Sequence, residues 1–161
     1  MRIFKWLVVV GLLALATVGG WVAGRAGVGS PAIDPATLPD RERAFVEQLT
    51  GASLVGSFTS LGRSPDPEPD RYDISSVEKL DDERWRFNVR MRHATVDITV
   101  PVVVPLQFVG GLPLISMSDY DIPGLGRFSA HVVFDGDWYA GTWKAGDAGG
   151  GHMFGHIERG E

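Results

Sequence analysis

Cysteine is absent from the 161 residues, and lysine is scarce beyond the first thirty. Without cysteine, the chain has no disulfide framework, thiolate zinc site, cysteine nucleophile or lipoprotein anchor. The first thirty residues hold three basic and no acidic side chains, so the remainder holds 12 basic and 20 acidic ones, a formal charge of −8. Only Lys79 and Lys144 in that remainder are lysines. This balance argues against a nucleic-acid partner, because phosphate binding needs clustered Lys and Arg.

An uncharged run from Trp6 to Gly24 stands near the N-terminus, behind two basic residues. Its 19 residues approach the length that a bilayer span needs, roughly 20, and a tryptophan lies at each end, as is typical of the headgroup level. We expect residues 1–26 to form a membrane anchor with a cytoplasmic N-terminus and an extracytoplasmic domain. The alternative is a signal peptide cleaved at Ala14–Ala16 or Val22–Gly24, which gives a secreted or periplasmic domain.

The next segments are a predicted linker and one predicted helix. Residues 27–38 are rich in Gly and Pro, which is typical of a linker. Residues 39–51 predict a short helix that ends at Gly51, where a left-handed stop is expected. We interpret the helix as a plug against one end of the domain, and a lid or partner helix is the alternative. Its apolar stripe comprises Leu38, Phe45 and Leu49, widened by Ala44 and Val46.

Beyond Ala52 the apolar side chains recur with a period of two, which predicts β-strands. A change of phase near Ser75-Ser76 indicates a bulge, and Asp135-Gly136 predicts a tight hairpin turn. No segment between the strands is long enough for a crossover helix, so parallel βαβ units are excluded. We therefore predict an all-β fold over residues 52–159, an antiparallel meander of eight or nine strands closed into a barrel, with a β-sandwich as the alternative.

Two short motifs lie near the two ends of the strand region. Gly56-Ser57-Phe58 is similar to the Gly-x-Trp motif of lipocalins, with Phe58 in the place of Trp, and Gly141-Thr142-Trp143 repeats the pattern. The domain thus resembles the calycin group of lipocalins, fatty-acid-binding proteins and avidins. That resemblance implies a barrel able to bind a small apolar ligand in its interior. The ending from Tyr139 to Glu158 also resembles exported bacterial proteins of no established function.

Four aromatic residues are the expected inward-facing side chains and the candidate ligand-binding residues. In an eight-stranded barrel, such side chains either fill the interior or surround one small ligand, and filling is the default. The arginines of the segment 84–92 form the one dense basic feature, which we expect the acids Asp73 and Asp97 to neutralise across the strands. The acidic, proline-rich tract Ser64–Asp70 is interpreted as a solvated hairpin loop. The four candidate residues are Trp85, Phe87, Tyr139 and Trp143.

The histidines predict neither a metal site nor a catalytic site. On one strand, His152 and His156 would stand roughly 13 Å apart, too far for one metal to bridge. His131 has acids nearby in sequence, but no nucleophile motif such as G-x-S-x-G accompanies it. We therefore expect no catalytic residue, no metal ligand and no cofactor.

Taken together, these patterns predict a membrane-tethered extracytoplasmic β-barrel module with a structural or interaction role in the cell envelope. The alternative is lipocalin-like binding of a small apolar ligand in the barrel, and the least favoured hypothesis is an enzyme that uses His131 or the pair His152 and His156. The expected partners are the membrane, through Trp6–Gly24, and either a small hydrophobic ligand or another envelope protein.

Overall fold

The computed structural model describes residues 29–61, 64–93, 96–122, 126–147 and 149–160. The predicted anchor, Trp6–Gly24, lies outside these residues, and no helix within them is long and apolar enough to cross a membrane. A 3-10 turn, Pro35–Thr37, and one α-helix, α1 (Asp40–Leu49), precede the strands. The strands are β1 (Ala52–Ser60), β2 (Ser64–Lys79), β3 (Arg84–His93), β4 (Val96–Val109), β5 (Leu112–Ile122), β6 (Gly126–Asp135), β7 (Trp138–Ala145) and β8 (Gly150–Arg159).

The eight strands form a closed antiparallel barrel, in which each strand pairs with the next and β8 returns to β1. The predicted all-β barrel is thereby confirmed over the alternative sandwich. The register between β2 and β3 shifts between Ile74 and Ser76, where the change of phase predicted a bulge. Closure removes the exposed edge strands that an open sheet would present to other chains.

The acidic tract Ser64–Asp70 belongs to β2, so its interpretation as a loop was wrong. Its residues pair with β1 from Asp70 opposite Gly56 to Ser64 opposite Ser60, whereas the described register between β2 and β3 begins at Arg71. The tract therefore has its described register partners in β1 and lies at the edge of the β2–β3 pairing. Proline lacks a backbone donor and is tolerated at such an edge, so the tract keeps its prolines and still forms a strand.

Helix α1 fills one end of the barrel, as expected of a plug, and this end is called the helix end. The Phe45 side chain is only 2% exposed, while Ala44, expected in the same stripe, is exposed. Edge-on contacts between aromatic rings stabilise a cluster beyond the burial of its apolar area, and Phe45 makes four such contacts. The Phe45 ring packs edge-on against four aromatic rings at centroid distances of 5.5 to 6.4 Å: Trp85, Phe87, Phe108 and Phe134.

The segment before α1 is bound to the wall of the barrel. The Ile33 backbone N–H donates to the Lys79 carbonyl at 2.8 Å, and Arg86 Nη1 donates to the Ser30 carbonyl at 2.9 Å. Lys79 Nζ also pairs with the buried Glu42 carboxylate of α1 at 2.7 Å. Residues 30–33, within the predicted linker, therefore run along the barrel to the helix end.

The arginines of β3 are paired with acids, as the sequence predicted. Asp73 contacts Arg92 across the strands, and Asp97 pairs with Arg90 at 2.6 Å. These side chains are about two-fifths to one-half exposed, except for Asp73, so each pair contributes at most about 1 kcal/mol to stability. The wall of β2, β3 and β4 thus has a charged but locally neutralised outer face.

The packing of Phe45 in the plug predicts how a substitution there changes the free energy of unfolding. Replacing Phe45 with Ala removes the ring at the centre of the aromatic cluster, and we expect the free energy of unfolding to fall by about 3–5 kcal/mol. Urea unfolding followed by tryptophan fluorescence measures the change. The matched control is Glu47→Ala on the exposed face of α1, which should change the free energy by no more than about 0.5 kcal/mol. A loss below about 1 kcal/mol in Phe45→Ala would contradict the role of the plug.

Candidate functional site

The barrel interior is filled at the helix end and becomes accessible toward the opposite end, which is called the open end. Along β3 the inward-facing Trp85, Phe87 and Val89 are buried, whereas Met91, the next inward residue, is half-buried. The open end, where water reaches part of the inward side chains that pack against the core, is called the cup. The half-buried apolar residues around the cup are Tyr72, Met91, Val100, Tyr120, Phe128 and Met153.

The wall of this cup is incomplete between β4 and β5. The two strands pair only from Leu106 opposite Ile115 to Val109 opposite Leu112, near the helix end. The first ten residues of β4, which pair with β3, have no register partner in β5 among the described residues. Pro101 and Pro105 lie in that part of β4. Proline has no backbone N–H to donate, and no described residue of β5 pairs with β4 there, so the two prolines remove no hydrogen bond between these strands. Beside the open end, the wall of the cup therefore has a stretch without described β4–β5 pairs, and this stretch is called the lateral gap.

The structure separates the four aromatic residues that the sequence offered for ligand binding. Trp85 and Phe87 pack against Phe45 at the helix end, and Tyr139 is buried between the two ends of the barrel. Trp143 alone lies toward the open end, near the last residue of β7. The Trp143 ring packs edge-on against Phe58 at 6.0 Å. Phe58 and Trp143 are the aromatic residues of the two motifs that resemble the lipocalin pattern.

Sequence analysis missed a buried carboxylate, Asp70, which is 5% exposed. Across the wall, Asp70 is opposite Gly56, Gly56 is opposite Gly155, and Gly155 is opposite Tyr139. A Cβ on Gly56 would lie 2.5 Å from Tyr139 Oη, and one on Gly155 would lie 2.8 Å from it. The phenol of Tyr139 thus extends over the two glycines toward Asp70. One signal in the sequence could have indicated that Asp70 faces inward. Asp70 lies two residues before the inward-facing Tyr72, and side chains two residues apart on a strand point to the same face.

The interior tyrosines have pKa values well above their ordinary range. Burial is the main cause for both Tyr72 and Tyr139, and the charge of the Asp70 carboxylate raises the pKa of each phenol further. Both phenols therefore stay neutral. The cluster places one carboxylate and two phenols within a largely apolar interior.

A groove of about 600 Å³ lies on the outer surface near the open end of β6, β7 and β8. The register places His131, Thr142 and His152 side by side on these three strands. His131 Nδ1 is 3.1 Å from Ser116 Oγ, and His152 Nδ1 is 3.5 Å from Thr59 Oγ1. Two imidazoles, each held by a hydroxyl, therefore border Thr142. The lining residues are Leu61, Ser129, His131, Thr142, Trp143, Lys144, Gly146, Asp147, Gly149, Gly150, Gly151 and His152.

The third histidine considered, His156, lies apart from this groove. It is 3.0 Å from Glu158 and contacts the Trp138 ring at 6.1 Å. In the described part of the chain, no group of three or more His, Asp or Glu residues is close enough to hold a metal ion. The groove offers hydrogen-bond donors and acceptors together with the Lys144 cation, a combination suited to recognising polar groups.

Comparisons with known proteins gave no match to a protein-family model, a curated protein or a solved structure. The eight-stranded closed antiparallel barrel is compatible with a lipocalin-like fold. Strand number and closure, rather than sequence similarity, support that comparison.

The tyrosine pair predicts sensitivity to alkali. A tyrosine whose pKa is raised on folding contributes stability that is complete below pH 10 and is lost as pH rises toward its folded pKa. We expect each of Tyr72 and Tyr139 to lower the free energy of unfolding by about 1.4 kcal/mol per pH unit above pH 10. Urea unfolding between pH 9 and 11.5 should show that Tyr139→Phe loses one such contribution. An unchanged alkaline slope in both Tyr139→Phe and Tyr72→Phe would contradict this account.

Proposed function

We propose that this protein binds a small apolar ligand in the open end of a barrel held outside the cytoplasm by an N-terminal membrane anchor. The observation that carries the proposal is the gradient of burial along the interior, from Trp85 at 1% exposed to the half-buried Met91 on the same face of β3. A barrel serving only as a scaffold needs no such gradient, because close packing is the more stable arrangement for apolar side chains.

The chemistry of the cup supports a largely apolar ligand. Its wall combines thioether, aliphatic and aromatic surfaces, and methionine side chains adapt to irregular shapes. Small-molecule sites are typically concave and mostly apolar, with few polar groups that set orientation. Tyr72 is the group of the Asp70 cluster that belongs to the cup, so it is the candidate for that orienting role.

The lateral gap between β4 and β5 supports entry without unfolding of the plug. The paired part of β4 and β5 is confined to four register pairs near the helix end, so the wall beside Val100 can separate while α1 stays packed. The ligand would reach the interior at the open end, and the aromatic cluster around Phe45 would remain as the floor.

Filling the cup with a larger side chain tests this function. Replacing the inward-facing Val100 with Trp should weaken binding of a neutral hydrophobic fluorophore at least about tenfold, because the indole occupies the ligand volume. Titration followed by energy transfer from Trp143 measures the affinity. The control is Thr99→Trp, the exposed outward neighbour, which should bind as the unmodified protein does. Absence of saturable binding, or equal loss in both variants, would reject the cup as a site.

A second candidate function, docking of another envelope protein, is favoured by the outer groove. The row of His131, Thr142 and His152 presents polar groups, and the described residues that line the groove include no arginine, in contrast to the wall of β3. Such a polar, partly open surface is typical of a non-obligate protein interface.

Site-specific photocrosslinking in the cell envelope tests that second candidate. A photoreactive residue at position 142 should yield a single adduct of defined mass, whereas the same residue at position 99 on the opposite wall should yield none. Both Thr142 and Thr99 are exposed, so accessibility to solvent is matched. Equal crosslinking at the two positions would indicate random collision and reject the groove as a specific interface.

A further inference from the structure

Exposed apolar side chains are concentrated at the helix end of the barrel. Val109 and Leu112, on either side of the β4–β5 turn, are 53% and 37% exposed, and Trp138, just after the β6–β7 turn, is 67% exposed. The other exposed large apolar side chains among the described residues are Leu61 at the open end and Phe154 on the wall. A lone exposed apolar residue is ordinary, whereas several at the tips of neighbouring hairpins mark an interaction site.

Contacts with α1 place both hairpins at the same end. Gln48 Nε2 donates a hydrogen bond to the Gly136 carbonyl in the β6–β7 turn at 2.6 Å. The Arg41 guanidinium lies 5.2 Å from the centre of the Phe108 ring, next to the β4–β5 turn. The plug therefore lies beside two hairpins that carry apolar groups at their tips, and beside the β2–β3 turn, which carries Asp81, Asp82 and Glu83.

The N-terminal segment joins the barrel at this end as well. Ile33 bonds to Lys79, the last residue of β2, and Ser30 bonds to Arg86, the third residue of β3. The connection from Gly24, where the predicted membrane span ends, to Ser30 comprises the six residues 25–30. A segment of that length reaches at most about 20 Å when fully extended. A bilayer that holds the predicted span must therefore lie close to the point where the chain meets the barrel.

We propose that the helix end of the barrel docks on the lipid surface, an inference that rests on the membrane tether of the proposed function. Trp138, Val109 and Leu112 lie in the headgroup region, where tryptophan is favoured, and the cup faces away from the membrane. Asp135 and Asp137 flank Trp138 in sequence, so the contact is apolar and does not depend on anionic lipid.

The other orientations fit the chain less well. Seven residues lead from Arg86 to His93 at the open end of β3, a rise of about 23 Å along the strand and about 18 Å along the tilted barrel. With the open end on the bilayer, the six-residue connection would have to be almost fully extended. With the barrel on its side, the paired charges of β2, β3 and β4 would meet the headgroups in place of the apolar tips.

The absence of cysteine permits a direct test with the full chain in phosphatidylcholine vesicles. Trp138→Cys and Lys144→Cys place one environment-sensitive fluorophore at two outward positions of the same strand, six residues apart. A quencher attached to the lipid chains should reduce emission at position 138 at least threefold more than at position 144, and aqueous iodide should show the reverse order. Leu112→Cys provides a second helix-end position, and circular dichroism verifies the fold of each variant.

The outcomes separate the orientation from the tether. Flotation of the labelled protein with the vesicles supports the tether, and preferential lipid quenching at positions 138 and 112 then supports the docked helix end. Flotation with equal quenching at all positions, or stronger lipid quenching at 144, overturns the orientation alone. Failure to float overturns the tether in the proposed function and this inference with it.

Discussion

The antiparallel pairing of β1 with β8 is the contact on which the rest of the structure depends. Seven register pairs, from Ala52 opposite Arg159 to Phe58 opposite Met153, join the first and last strands and close the barrel. Gly56 and Gly155 meet in the middle of this seam, where a side chain on either would collide with the facing backbone. The seam thus needs two glycines, and the space above them is taken by the Tyr139 phenol.

Closure gives the barrel two ends that differ in chemistry, and the difference determines what each can do. At the helix end, Phe45 completes a cluster of aromatic rings, so that end supplies stability to a chain without disulfides. At the open end no helix covers the described residues, and the β4–β5 wall is unpaired beside Pro101 and Pro105. The proposed binding function at the open end can therefore vary without loss of the packing that holds the fold.

Local periodicity was sufficient to predict the plug and most of the strands, though not the Ser64–Asp70 part of β2, because these elements depend on neighbours in sequence. The alternation around Trp85 and the turn at Asp135-Gly136 lie within single hairpins. The buried position of Asp70 was not predicted, because it depends on the register between β1 and β2, which places Asp70 opposite Gly56 on the inner face of the wall. The row of His131 and His152 depends on the register of three strands, and sequence spacing favoured comparison with His156 instead.

The half-buried lining of the open end carries an energetic consequence. Apolar side chains stabilise a fold by roughly 25 cal/mol for each Å² removed from water. The part of Met91, Val100 and Phe128 that stays exposed therefore contributes no such stabilisation. An apolar ligand that covers these surfaces recovers it, and binding is then linked to the stability of the open end. The helix end gains nothing from such a ligand, since Trp85 and Leu49 are already buried. Under the proposed function, the helix end therefore supplies stability through the plug, and the open end becomes ordered when the ligand binds.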